Sequence, residues 1–355
     1  MTTPTHLESL KTRLDNSPHI RASHQDNGLV AYNFTRKAFW GNNWDNQTIT
    51  ARGLFMDGDT IVGRGYRKFF NLNQPHGYTD TQVREEFVSP VRVTTKRNGF
   101  LGIMFAYKGE LLLWSKSGDT DYARAAKKLF DSHPHINQDA IRRALEKHNV
   151  SLTWEIVLPN DPHVVEEPRH GMYLLDAIAN TEAGEVVTEE FLVREYGIFT
   201  QTQQWGLDHY HALHDPLQAH QPLVLGYHHC VFSAQYVSVL VDADPLEFIA
   251  TKNPLCEGFV LRDAEGRMTK IKHDYYLQVK SLRTPIRRAL AGKPINRPLP
   301  EWFPEELLEG TPEEVRNRLS PCLTTTLQGA EEVSLPALMK HFRLDEAYQE
   351  KIKRG

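Results

Sequence analysis

The stretch "VRVTTKRNGFLGIMFAYKG", residues 91–109, decides the reading of this chain. A polar cluster centred on Lys96 runs into an apolar segment whose side chains alternate with period two, the mark of a half-buried strand. Lys96 therefore stands at the mouth of a strand, and Gly99 follows three residues later. An ordinary lysine, with a pKa near 10.4, is a poor nucleophile at neutral pH. Burial and neighbouring cations lower that pKa and free the lone pair. A glycine so close lets backbone and ligand approach each other. The question is whether the rest of the chain supplies companions for such a lysine.

The chain is 355 residues long with a net charge of −4, so a generally basic nucleic-acid coat is excluded. Charge is nevertheless patterned. Lys270, Lys272, Lys280, Arg283, Arg287, Arg288, Lys293 and Arg297 stand against the single acid Asp274, a stripe able to meet phosphate. No apolar run reaches the roughly 20 residues that span a bilayer. The opening residues show no basic segment followed by an apolar core, so no signal peptide is expected. Cys230, Cys256 and Cys322 form no CxxC pair, which suits a reduced, cytoplasmic setting.

Further out, a capping box at Thr5–Glu8 and leucines 7, 10 and 14 predict an N-terminal helix. Residues 28–72 read as strands: "LVAYNF", then "TITARGLFMD" and "TIVGRGYRKFFNL" paired around "MDGD". "FLGIMFAY" and "LLLWSKSG" form a second hairpin. Two helices follow at about 119–132 and 137–149, the second capped by Asn137. "VSLTWEIVL" and "GMYLLDAIA" are strands, and a strand-and-helix region runs to about 250. After about 285 prolines cluster, and helices start at Thr311-Pro312 and Ser334, so 286–355 reads as a helical appendage to a main domain at 1–285.

The companions of Lys96 lie in "EGFVLRDAEGRMTKIKH", a hairpin around "DAEG". With a two- or four-residue loop, Glu257 falls opposite Lys272, and Lys270 projects from the same face as Lys272. A three-residue loop reverses that relation. One acid and two lysines on one sheet face could also be an ordinary cross-strand ion pair.

The order lysine, acid, EG, K-x-K resembles that of covalent nucleotidyltransferases, and in particular the RNA ligase family of phage-type ligases and fungal tRNA ligase domains. "KRNG" (96–99) resembles motif I, "WSKSG" (114–118) the segment after it, "LTWEIVLP" (152–159) motif III, "EGFV" (257–260) motif IV and "KIKHDYY" (270–276) motif V. "ARGLF" (51–55) and "RGYRKFFNL" (64–72) resemble segments particular to the RNA ligase branch. Motif III is the loosest match, with Trp154 before the acid, and nothing after about 286 matches.

The resemblance implies an α+β nucleotidyltransferase fold, two antiparallel sheets around an ATP pocket. It implies that Lys96 attacks the α-phosphate of ATP and carries AMP. Lys270 and Lys272 would contact that phosphate, and cations around Lys96 would lower its pKa. Glu257 and Glu155 would face the nucleoside or metal, Arg52 and Lys68 the β- and γ-phosphates. Lys116 would support the phosphate site and Gly99 would leave room for the nucleotide. Magnesium, with manganese as a substitute, is the implied metal, its protein ligands unassigned; RNA, broken tRNA above all, is the implied partner. No GxxxxGK[ST] occurs, so an end-healing kinase or phosphatase would be a separate protein.

Rival readings are a GTP-using capping enzyme or DNA ligase, and a non-catalytic RNA-binding protein on the same scaffold. His209, His211, His214, His220, His228 and His229 match no zinc spacing and read as ordinary polar residues. Phe69, Phe70, Trp114 and Trp205 read as core.

Overall fold

The computed structural model describes residues 8–132, 136–167, 170–188, 191, 224–226, 238–242, 244–250 and 256–354. Thr5, Leu7, Trp205, Cys230 and the six histidines of 209–229 lie outside them. The fold is α+β. Its strands are β1 (Ile20–His24), β2 (Val30–Phe34), β3 (Leu54–Asp57), β4 (Thr60–Arg64), β5 (Val91–Lys96), β6 (Phe100–Tyr107), β7 (Glu110–Ser115), β8 (Val150–Val157), β9 (Gly171–Ala179), β10 (Val224–Gly226), β11 (Ser238–Val241), β12 (Gly258–Arg262), β13 (Met268–Lys272), β14 (Leu323–Thr325) and β15 (Glu331–Val333).

The quoted stretch is not one strand with a lysine at its mouth. It is two strands, β5 and β6, parted at Arg97-Asn98-Gly99, and they enter different sheets. β5 lies in a four-stranded sheet of order β11-β5-β12-β13. β6 lies inside a five-stranded sheet of order β10-β9-β8-β6-β7. Lys96 is the last residue of β5, so it stands where the chain crosses from one sheet to the other. A third sheet, β1-β2-β3-β4, was not foreseen.

Period-two alternation in the five-stranded sheet explains its two faces. Met104, Leu152, Trp154 and Ile156 pack on the helices α5 (Asp121–Asp131) and α6 (Gln138–His148). Ile103 and Phe105 point the other way, onto Phe55 and Trp114 against the first sheet. Glu155, out of phase with Trp154, therefore faces away from the helices. Both helices start as their sequences dictate: the Thr120 and Asn137 side chains accept from N–H groups of the first turn. Asn149, left-handed at φ 51°, closes the second.

Several local expectations change. Helix α1 spans Leu10–Asp15 with Ser9, not Thr5, as its cap. The residues "NQTIT" form a short helix, α3 (Asn46–Thr50), rather than a strand, because Asp45 and Thr48 build a capping box there. Another short helix, α2, covers Arg36–Trp40. α4 spans Asp80–Glu86 and α7 Pro245–Ala250.

The C-terminal core begins with α8 (Asp274–Ser281) and α9 (Arg283–Leu290), so a boundary at 285 falls inside α9. Tyr276, Val279 and Ile286 pack there with Trp302, Leu319 and Leu338. That unit holds α10 (Pro312–Leu319), α11 (Leu335–His341), α12 (Leu344–Arg354) and the small β14–β15 hairpin. Among the described residues no helix is long and apolar enough to cross a membrane.

Candidate active site

Three residues stand abreast across the second sheet: Gly258 of β12 pairs with Lys96 of β5 on one side and Lys272 of β13 on the other. Neighbours in register point to the same face. The glycine leaves a gap between the two lysine side chains, and the Glu257 carboxylate occupies it. Its Oε2 lies 3.0 Å from Lys96 Nζ and its Oε1 lies 2.9 Å from Lys272 Nζ.

This corrects the expected register. Arg262 pairs with Met268, so Gly258, not Glu257, is opposite Lys272. Strict alternation would then send Glu257 to the far face. It returns because Gly258 adopts φ +142°, which L side chains rarely take. A Cβ on Gly258 would lie 1.9 Å from the Ile271 carbonyl oxygen, so no other residue fits.

The Glu257 carboxyl is only 4% exposed. Burial pushes it towards the neutral form, but Lys96 and Lys272 outweigh that and hold it below the usual carboxylate range. Tyr276 lies beside the same carboxylate, and the Lys272 ammonium sits 4.5 Å over its ring.

Glu155 is the second acid, 9% exposed, on β8 opposite Leu101 of β6. It accepts from the Gly99 N–H at 2.9 Å, which ties the crossover to the sheet. Burial pushes its pKa up, only partly countered by Lys96. Gly99 is also required by β8: a Cβ there would meet the Ile156 carbonyl oxygen at 2.2 Å.

Burial would lower the Lys96 pKa, yet Glu155 and Glu257 reverse this and hold it above its ordinary value. That is opposite to the expected depression. The cations nearby lose to the nearer carboxylates.

On the other side the charge is unbalanced. Residues 66–72 run beside β13, with Lys270 N–H donating to Phe70 O at 3.2 Å and Leu72 N–H to Lys270 O at 2.9 Å. This brings Lys68 to Lys270. Lys270 is pushed well below its ordinary value by burial, then by Lys68, Arg52, Lys96 and Lys272. Burial and Arg52 take Lys68 down to about 8. Burial, Arg52 and Arg21 lower Lys116, and burial lowers Arg52 despite Glu155. Partly desolvated cations gathered without matching anions are a poor structural device. They suit a polyanion that arrives from solution.

Every sequence-predicted site residue thus lies in one region: Lys96, Glu257 and Lys272 in contact, Glu155 and Gly99 beside them, and Lys270, Lys68, Arg52 and Lys116 in one electrostatic cluster. Sequence reasoning assigned no role to Tyr276, although it lies inside "KIKHDYY". Lys280 was seen only as part of the basic stripe. Its ammonium lies 5.4 Å over the Tyr276 ring, and desolvation and Lys272 bring it down to about 8, so it stands at the edge of this centre. Glu167 was missed outright. It accepts from the Asn98 N–H at 2.7 Å and pairs with Arg97 at 2.9 Å, so it fixes the crossover loop. No spacing signal pointed to it. Phe69 and Phe70, expected in the core, are half-buried and line a groove with Lys68 and Tyr66. Trp114 is core, as expected.

Among the described residues no group of three His, Cys, Asp or Glu side chains could hold a metal ion by itself. Magnesium, however, takes one or two carboxylates together with substrate phosphates and water. Glu155, with one oxygen not engaged by Gly99, fits that mode.

The family that the sequence matches agrees with this arrangement. A family model described as RNA ligase matches residues 50–281, well over half of the chain. A tRNA ligase of Candida albicans is 37% identical over 75 residues, a match covering 21% of this chain and 9% of that ligase. Among solved structures, an archaeal ATP-dependent RNA ligase aligns with TM-score 0.45 and 17% identity, over 87% of this chain and 73% of that one. A candidate ATP-dependent DNA ligase of Aquifex aeolicus aligns with TM-score 0.43 and 16% identity, over 97% and 78%.

Proposed function

We propose, because this chain belongs to the RNA ligase family, that it is an ATP-dependent ligase joining RNA 5'-phosphate and 3'-hydroxyl ends. The observation that carries the reading is the group Lys96–Glu257–Lys272 beside the half-buried cations Lys270, Lys68 and Arg52. A nucleophilic amine sits next to a site built for a polyphosphate.

In the first step Lys96 Nζ, having lost its proton, attacks the α-phosphorus of ATP. An N–P bond forms, the bond to the leaving oxygen breaks, and pyrophosphate departs. Lys270 and Lys272 carry the charge that grows on the α-phosphate, and Arg52, Lys68 and Lys116 that on the leaving group. This chemistry asks the protein mainly for position and charge compensation. In the second step an oxygen of the RNA 5'-phosphate attacks the adenylate phosphorus; the N–P bond breaks and Lys96 regains a proton. In the third the RNA 3'-hydroxyl attacks the activated 5'-phosphate, loses its proton and expels AMP.

Glu257 plays two parts. In the empty site it keeps Lys96 charged and positioned. When a polyanion binds, Lys96 exchanges that partner for the phosphate. Glu155, with Glu257 if the lysines release it, would hold magnesium. Such an ion, when bound, neutralises phosphate charge.

The RNA is of the kind that cleavage leaves, broken tRNA among them. The ends would be made ready by a separate kinase or phosphatase. The cysteine usage favours the cytoplasm as the setting.

Incubation with magnesium and ATP labelled at the α-phosphate should leave label on the denatured protein. Label that is absent, or unchanged in Lys96→Ala, sinks the reading. Lys272→Ala should lose most of the label while staying folded. Stronger labelling from GTP would favour a capping enzyme instead.

A further inference from the structure

Residues 33–46, "NFTRKAFWGNNWDN", interleave aromatic and basic side chains. The fold leaves much of this aromatic surface in water. Trp40 is 78% exposed and Phe39 is 47% exposed, side by side on α2. They are the outer end of an unbroken series of rings. Trp40 meets Phe39 edge to face at 5.0 Å, and Phe39 stacks on Phe34 at 6.3 Å. Phe34 meets Trp44 at 4.9 Å, Trp44 meets Phe70 at 5.4 Å, and Phe70 meets His76 at 5.7 Å. The inner rings, Phe70 and His76, line the groove that also holds Lys68. The Lys68 ammonium lies 3.7 Å over Phe70 and 4.8 Å from Trp44. The series therefore links open surface to the cationic side of the candidate active site.

Charge follows the rings. Arg36 and Lys37 are exposed on α2 and make no ion pair with a described residue. Arg67 projects near Asn46, to which it donates at 2.5 Å. The only acid in residues 33–46 is Asp45, and its carboxylate is occupied in capping α3. Flat apolar faces between cations are what unpaired nucleotides bind: bases stack on rings of any orientation and phosphates meet the cations. A protein partner would find little here to read except Trp40 and Phe39.

We propose that Trp40 and Phe39 form a stacking platform for unpaired nucleotides of an RNA strand, which then runs past Trp44 and Phe70 towards Lys68 and Lys270. The identity of the strand, an end awaiting sealing, rests on the ligase reading; the platform itself rests on the rings and charges.

The test titrates a short 5'-phosphorylated single-stranded RNA into wild type, Trp40→Ala and Trp40→Tyr. It follows tryptophan fluorescence and, with a dye-labelled strand, anisotropy. Because Trp40 is exposed and reaches Lys68 only through Phe39 and Trp44, all three proteins should label equally with ATP. Binding should quench wild-type fluorescence. Trp40→Ala should lose most of that quench and bind about tenfold more weakly, while Trp40→Tyr keeps most of the affinity. Trp40→Ala binding within about twofold of wild type overturns the platform, and so does a wild type that binds no single strand, which would hand this face to a protein partner. Wild type that binds RNA through Trp40 yet takes no label would keep the platform and remove the ligase reading.

Discussion

Glu257→Gln is the sharpest probe of the site's construction. Its carboxylate faces two ammonium groups, at 3.0 and 2.9 Å, and is 4% exposed. At an effective dielectric of about 20, each contact is worth roughly 5 kcal/mol before desolvation. Removing the charge also removes the several kcal/mol spent in burying it. Glutamine keeps the shape and one acceptor, but leaves two lysines facing Lys270 and Lys280 without their anion. The net loss expected is about 3–5 kcal/mol, the range for breaking a buried pair by neutralising one partner.

The pH dependence of that loss has a definite sign. In wild type the Glu257 pKa is lowered, so its stabilisation is present above the unfolded value of 4.5 and fades as pH falls through the lower folded one. In the variant, Lys96 has lost one of the two carboxylates that hold its proton, so it gives that proton up at lower pH. The deficit should therefore narrow on the alkaline side as well as in acid. Urea denaturation at pH 4, 7 and 9.5 measures this. A loss below about 1 kcal/mol at pH 7 would refute the claim that the carboxylate holds the two lysines together.

Three other outcomes follow from the same geometry. Gly258→Ala must push β12 from β13, since its Cβ would sit 1.9 Å from the Ile271 carbonyl oxygen; it should cost about 2–4 kcal/mol and abolish ATP labelling, and a wild-type melting curve would contradict it. Lys68, at about 8 in the fold against 10.5 when free, binds fewer protons folded than unfolded between those values. Stability should therefore rise with pH across that window. Lys68→Met should flatten the rise and add about 1 kcal/mol at pH 7, a gross effect of about 3 reduced for partial exposure, while weakening ATP binding; reduced stability would count against it. Asn149→Ala, which keeps the β-carbon in the left-handed cap of α6 but removes the short polar side chain that makes this conformation tolerable, should cost about 1 kcal/mol and leave labelling intact. Lost labelling there would mean that the helix layer is coupled to the chemistry.

The residues of the site were legible because each, Gly99 apart, is charged and sits in a short stretch of distinctive order. Their arrangement was not. Glu257 reaches the lysines through one glycine dihedral, which a pairing rule based on alternation cannot foresee. The direction of the Lys96 shift was also hidden. It depends on whether carboxylates or cations come nearer, and sequence order does not give distance. Long apolar strands such as β6 and β9 were read almost to the residue. "NQTIT" misled because its threonines favour strands while Asp45 and Thr48 close a cap. Glu167 was invisible because its partners, Arg97 and the Asn98 N–H, are about seventy positions away.

The family match starts at residue 50, but the hydrogen bonds of the cation cluster do not. The Lys68 N–H donates to the Ile49 carbonyl at 2.9 Å, and the Asn33 amide donates to the Lys116 carbonyl at 3.4 Å. Two of the groups proposed to meet the leaving pyrophosphate are thus moored to residues in front of the segment that the family model matches. A chain trimmed to that segment would keep Lys96, Glu155 and Glu257 while losing the hydrogen bonds that hold Lys68 and Lys116. Asn33 and Ile49 thus help to support the cation cluster, even though no motif marks them.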